Sequence, residues 1–103
     1  MKKIAIATAT RAEYGILHPL IVRLMEEKEF DVQLLVTGTH LEVRFGYTVK
    51  EIEKDGIPIA RKIPILTEDN SPYGISVTIA QAITGFADYF KSEQLDLFLV
   101  LGD

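Results

Sequence analysis

Cysteine is absent from the chain, which removes at once a disulfide framework, thiolate chemistry and any cysteine-based zinc site. Histidine is nearly as scarce, and His18 and His40 stand too far apart for metal-ligand spacing. Basic charge is lacking as well: a net charge of -4 and a pI near 5.1 deny the chain the basic face that nucleic-acid binding needs. No apolar run approaches a bilayer span. The Met1-Lys2-Lys3 start leads through a short apolar run into a polar turn, with no signal-peptide cleavage site. A cytoplasmic protein without membrane or nucleic-acid partners is expected. Neither G-x-G-x-x-G nor a P-loop occurs, so dinucleotide and Walker-type readings fail on the residues.

What is present is an ordinary globular composition: 103 residues, 48% hydrophobic and 25% charged, enough for one core and one domain at most. Four short apolar runs, Lys3 to Thr8, Val32 to Thr37, Ile57 to Ile63 and Leu97 to Leu101, alternate with three helical patterns. That alternation predicts an α/β fold with a parallel sheet and crossover helices. Pro58 and the polar alternation of the third run mark it as an edge strand. With right-handed crossovers the order is 3-2-1-4, the first half of a Rossmann-like doubly wound sheet. The first helix carries Leu17, Leu20, Ile21 and Leu24 on one stripe, with Pro19 placed in its opening turn. Thr48-Val49-Lys50-Glu51 reads as a capping box for a short second helix that stops at Gly56. Ile75, Ile79, Ile83, Phe86 and Phe90 recur at helical spacing in a long third helix and are expected to be core.

Ligands of such sheets bind beyond the carboxyl ends of the strands, where the order reverses, here between the first and fourth strands. Two side chains sit at those ends. Arg11, in the turn Thr8-Ala9-Thr10-Arg11-Ala12-Glu13-Tyr14-Gly15, adds positive charge to helix N-terminal amides suited to a phosphate; the plainer reading is a tight turn with a surface arginine. Asp103 ends the fourth run as either a reactive carboxylate or a cap for a following helix. His40 lies just past the second strand, where a structural role competes with a functional one. Glu13 reads as a complement to the helix dipole, and His18 has no assigned role.

The segments Thr8 to Gly15, Val36-Thr37-Gly38-Thr39-His40-Leu41, Phe45-Gly46-Tyr47-Thr48, Glu51-Ile52, Asp55-Gly56, Gly85-Phe86 and Leu99-Val100-Leu101-Gly102-Asp103 resemble, in order, the opening of the UDP-N-acetylglucosamine 2-epimerases. The hydrolysing branch, which makes N-acetylmannosamine-type sugars for sialic-acid-type products, is the nearer match. The resemblance implies a GT-B-type protein of two Rossmann-like domains with a UDP-sugar in the cleft between them. Residues 1–103 would then be part of the amino-terminal domain, with the UDP-binding carboxyl-terminal domain outside this chain. It also implies that Arg11 contacts the UDP phosphates, His40 belongs to the substrate-binding edge and Asp103 is a catalytic carboxylate. A UDP-sugar as substrate, no cofactor and a homo-oligomeric assembly are expected. The alternatives are a flavodoxin-like module holding FMN phosphate in the Thr8–Thr10 loop, a non-hydrolysing epimerase, or an inactive structural fragment. A response-regulator reading lacks the acidic cluster it needs after the first strand.

Overall fold

A computed structural model describes residues 1–101 of the chain. Strand β1 (Lys2–Thr8) is followed by helix α1 (Arg11–Met25), β2 (Phe30–Thr37), a pair of short 3-10 turns, α2 (Val49–Lys54), β3 (Ile59–Ile63), α3 (Pro72–Ser92) and β4 (Leu97–Leu99). The sheet has four strands in the order β3-β2-β1-β4, and every pairing is parallel, as the sequence pattern predicts.

Strand alternation sends successive side chains to opposite faces. Ile4 and Ile6 of β1 and Leu34 and Val36 of β2 pack beneath α1 and α2, against Tyr14, Leu17, Ile21, Val49 and Ile52. Ala5 and Leu35 face the other way and meet Tyr89 of α3. The α1–α2 side therefore holds most of the buried apolar surface.

Five expectations are corrected by this packing. Pro19 lies inside α1 and outside its opening turn, because the helix begins earlier than the apolar stripe suggests. Its start is fixed by a capping box: Thr10 accepts a hydrogen bond from the Glu13 amide at 3.1 Å, and the Glu13 carboxylate accepts from the Ala9 amide at 2.6 Å. Proline takes no hydrogen bond to the carbonyl four residues back, but that residue, Gly15, is exposed and water can serve its carbonyl. Leu20 of the expected stripe is exposed, and Tyr14 takes its place in the core.

The third strand starts at Ile59 rather than Ile57. Pro58 has no amide to offer the ladder, and Ile57 turns into the α1–α2 core instead. The register also skips between Leu34↔Ile59 and Leu35↔Arg61, leaving Ala60 as a bulge on this edge. The fourth strand ends at Leu99, two residues short of the expected Leu101.

The largest departure is α3. Ile75, Ile79, Ile83 and Phe90 are exposed, Ile83 to 66%. The helix meets the sheet through Tyr89 and Phe86 and, over β3, through Gly85, where an added Cβ would come within 2.5 Å of Ile63 Cγ2, so the close approach of α3 to β3 favours glycine there. That contact turns the isoleucine stripe away from the sheet.

Candidate functional site

The carboxyl edge of the sheet is organised around one carbonyl, that of Ala9. It accepts hydrogen bonds from the Thr39 amide at 2.9 Å, the Thr39 hydroxyl at 3.0 Å and the His40 amide at 3.4 Å. The approach is possible because Gly38 leaves β2 with φ +61; a Cβ there would stand 2.8 Å from the same oxygen. The exits of β1 and β2 are thereby locked together. The first-turn amides of α1, at Arg11 and Ala12, keep no acceptor within the helix and remain at this edge.

Beneath the lock lies His40, fully buried. Its Nε2 is 3.0 Å from the Thr8 hydroxyl and its Nδ1 is 2.8 Å from the Thr48 hydroxyl. The imidazole thus bridges the end of β1 to the start of α2. Burial holds its pKa below the usual histidine value, against the opposing pull of the Glu13 carboxylate and the Thr10 backbone. The neutral ring suits this place, since a hydroxyl can donate to one nitrogen and accept from the other. Enclosed in this way, His40 bears on the edge through Thr8 and Thr48 and presents no exposed surface to a ligand.

The Thr48–Glu51 capping box read from the sequence does not form. Thr48 occupies the N-cap position of α2, but its hydroxyl is engaged by His40. The carboxylate of Glu51 crosses to Arg11, whose Nε lies 2.8 Å from Oε2 and 3.1 Å from Oε1. Arg11 itself is the first residue of α1, with its side chain 72% exposed.

Arg11 and Glu51 line a cleft of about 780 Å³ between α1 and α2, together with Tyr14, Gly15, His18, Lys54 and Asp55. Within it the Tyr14 hydroxyl donates to Asp55 Oδ2 at 2.6 Å. Burial, and then the hydrogen bond to Asp55, push the tyrosine pKa upward, so the phenol stays protonated. His18 Nε2 is 3.8 Å from the same carboxylate oxygen, and its ring meets the Tyr14 ring edge-on at 5.5 Å. Sequence reasoning passed over Tyr14, Thr48 and Asp55. Thr48 had a signal, a capping pattern whose hydroxyl went elsewhere, whereas nothing in the sequence pairs Tyr14 with Asp55.

The structure brings Arg11 and His40 to the same edge, through separate contacts. Asp103, the third candidate, lies outside the described residues. No group of three or more histidine, aspartate or glutamate side chains poised for a metal occurs among the described residues.

A parallel sheet of order 3-2-1-4, with a polar, locked edge beside its switch point, defines a Rossmann-like α/β protein. The sequence profile described as UDP-N-acetylglucosamine 2-epimerase matches residues 22–103, and the chain belongs to that family. It is 37% identical, over 99% of its length, to a hydrolysing GDP/UDP-N,N'-diacetylbacillosamine 2-epimerase of Campylobacter jejuni, covering 26% of that protein. It is 35% identical over its whole length to the hydrolysing UDP-N,N'-diacetylbacillosamine 2-epimerase of Legionella pneumophila, of which it covers 27%. Polysialic acid biosynthesis protein P7 of Escherichia coli is 36% identical, with 100% of this chain and 26% of that protein covered. The chain therefore spans about a quarter of the length of these relatives.

Among solved structures, a UDP-N-acetylglucosamine 2-epimerase superposes with a TM-score of 0.81 at 22% identity, covering 99% of this chain and 27% of that one. The Neisseria meningitidis enzyme bound to UDP-GlcNAc superposes at 0.73 with 22% identity, covering 100% of this chain and 26% of that one. At these identities the likeness is one of fold, and the fold is that of GT-B-type epimerases.

Proposed function

We propose that this chain is the amino-terminal part of a hydrolysing UDP-sugar 2-epimerase, which converts a UDP-2-acetamido sugar to the free C2 epimer and UDP. The observation that carries the reading is the coincidence of Arg11 with the free first-turn amides of α1, at the carboxyl end of β1 beside the switch point. Two relatives matched over nearly the whole chain are named as hydrolysing epimerases, which favours this branch over the non-hydrolysing one. The name of the Escherichia coli relative supports a sialic-acid-type product. A cytoplasmic site of action fits a nucleotide-sugar substrate.

The C2 proton of such a sugar is not acidic in the ground state. UDP departs first, taking the C1–O bonding pair, and C1 becomes cationic. Loss of the C2 proton then gives a glycal. Water adds its oxygen to C1 as C2 is protonated from the opposite face, which inverts that carbon. The chemistry demands charge stabilisation for the leaving diphosphate, a carboxylate near the ring and a proton donor across it. In this reading Arg11 and the α1 amides meet the diphosphate, and Asp103 supplies the carboxylate. The His40 bridge holds the phosphate turn in place. The proton donor across the ring and the uridine site belong to parts of the protein beyond this chain, and the assembly is homo-oligomeric.

The 103-residue chain alone is expected to show no turnover; release of UDP with N-acetylmannosamine, or with another free C2-epimeric acetamido sugar, would overturn that expectation. In the complete protein, Asp103→Asn should lower turnover by roughly two to four decades, the usual weight of a general acid or base, and leave substrate affinity little changed. Asparagine caps a helix about as well as aspartate, so near-normal turnover in this variant would reduce Asp103 to a cap.

A further inference from the structure

Resting on the reading that Arg11 meets a diphosphate, we propose that Glu51 is the positioning residue of that contact, gripping one edge of the guanidinium and turning the other toward the anion. Both carboxylate oxygens of Glu51 address the same nitrogen, Nε, at 2.8 and 3.1 Å. The terminal Nη1 and Nη2 groups meet no protein acceptor among the described residues. A guanidinium is a rigid planar fork, so fixing Nε fixes the plane in which the terminal pair can bind a phosphate in bidentate fashion. Without Glu51 the arginine, 72% exposed, is a free rotor.

Glu51 is itself well placed to act as the fixed partner. Its helix is anchored by the fully buried Val49 and Ile52, and the start of that helix is tied to β1 through Thr48, His40 and Thr8. Its carboxylate is also taken out of the capping role its position in the sequence suggests. An exposed ion pair contributes little to stability, so a bridge that merely joined α1 to α2 would leave anion affinity untouched when removed. The carboxylate carries an opposing effect, repulsion of the incoming phosphates. Glutamine separates the two effects, because its amide oxygen still accepts from Nε while the negative charge is gone.

The test is an NMR titration of the 103-residue chain with UDP, following backbone amide shifts in every variant and the Nε–H signal wherever Arg11 is present, with inorganic pyrophosphate as the uridine-free probe. Glu51→Ala should weaken binding roughly three- to fivefold. In an Arg11→Gln background the same change should cause no loss, and relief of the carboxylate's repulsion should leave affinity equal or slightly higher. Glu51→Gln should restore affinity to that of the unaltered chain or better. Arg11→Lys should bind nearly as weakly as Arg11→Gln, since an ammonium held by Glu51 has no second edge to offer. Both positions are solvent-facing, and amide dispersion reports that each variant is folded.

Unchanged affinity in Glu51→Ala, an equal loss in the Arg11→Gln background, or failure of glutamine to rescue would overturn the positioning role while leaving Arg11 in the site. No UDP-dependent change at the Arg11 signal, or full UDP affinity in Arg11→Gln, would overturn the Arg11 reading itself, and the role of Glu51 with it.

Discussion

At His40 the place in the fold was legible in the sequence and the surroundings were not. Its place just past β2 was legible in Thr37-Gly38-Thr39-His40-Leu41, but its complete burial was not, because that depends on Tyr14 and Thr8, which are distant in sequence, and on the Thr48 hydroxyl leaving its own helix. A buried neutral histidine also ties stability to pH. In the unfolded chain the ring titrates near 6.5, whereas in the native state burial sets the value lower. Below pH 6.5 the unfolded state therefore binds the extra proton more readily, and protonation favours unfolding. The stabilisation is present in full above pH 6.5 and is lost as the pH falls through the lowered native value. Chemical denaturation between pH 7.5 and 5 should show a declining midpoint that flattens in His40→Gln, a neutral side chain with an acceptor and a donor. An equally steep decline in the variant would assign the effect to groups other than His40.

Among the elements, those whose ends are written in local chemistry were the most legible. The order β3-β2-β1-β4 follows from the alternation of apolar runs and helical patterns, with Pro58 marking an edge. Where an end depends on tertiary choice, the sequence misleads: a capping box forms at Thr10–Glu13 and fails to form at Thr48–Glu51, though both have the same spacing. The α3 stripe misled for a similar reason, since helical spacing reports an apolar face without saying whether the sheet is what it meets. Glycines separate the two kinds of constraint. Gly56 has φ +74 with nothing near its missing Cβ, so Gly56→Ala should cost only the left-handed backbone penalty of about 1 to 2 kcal/mol. Gly38 adds a contact of 2.8 Å with the Ala9 carbonyl. Gly38→Ala should thus lower Tm by more than Gly56→Ala, by an additional ~5 °C or more. It should also speed amide exchange at Thr39 and His40, whose hydrogen bonds converge on that oxygen. Equal Tm losses in the two variants would mean that the β1–β2 lock yields at no cost.

On the scale of the whole molecule, the apolar surface is unevenly covered. The α1–α2 face closes over its core, while the opposite face leaves Ile75, Ile79, Ile83 and Phe90 of α3 exposed, and Leu97 and Phe98 of β4 beside them. Phe86, Phe90 and Phe98 form one aromatic cluster there, with ring centroids 5.2 to 6.2 Å apart. Among the described residues β4 pairs only with β1, so its outer edge also carries free backbone donors and acceptors. Contiguous apolar surface of this kind is rarely left open to water. The chain studied alone should therefore self-associate through this face, a contact that Ile79 and Ile83, one helical turn apart, would centre. Light scattering should give a mass above the monomer that rises with concentration. Ile79→Lys combined with Ile83→Glu should return it toward the monomer with little change in Tm, because both side chains are solvent-facing in the single chain. A chain that stays monomeric at high concentration would show that the α3 stripe tolerates water by itself, and would remove this face as a basis for the proposed homo-oligomer.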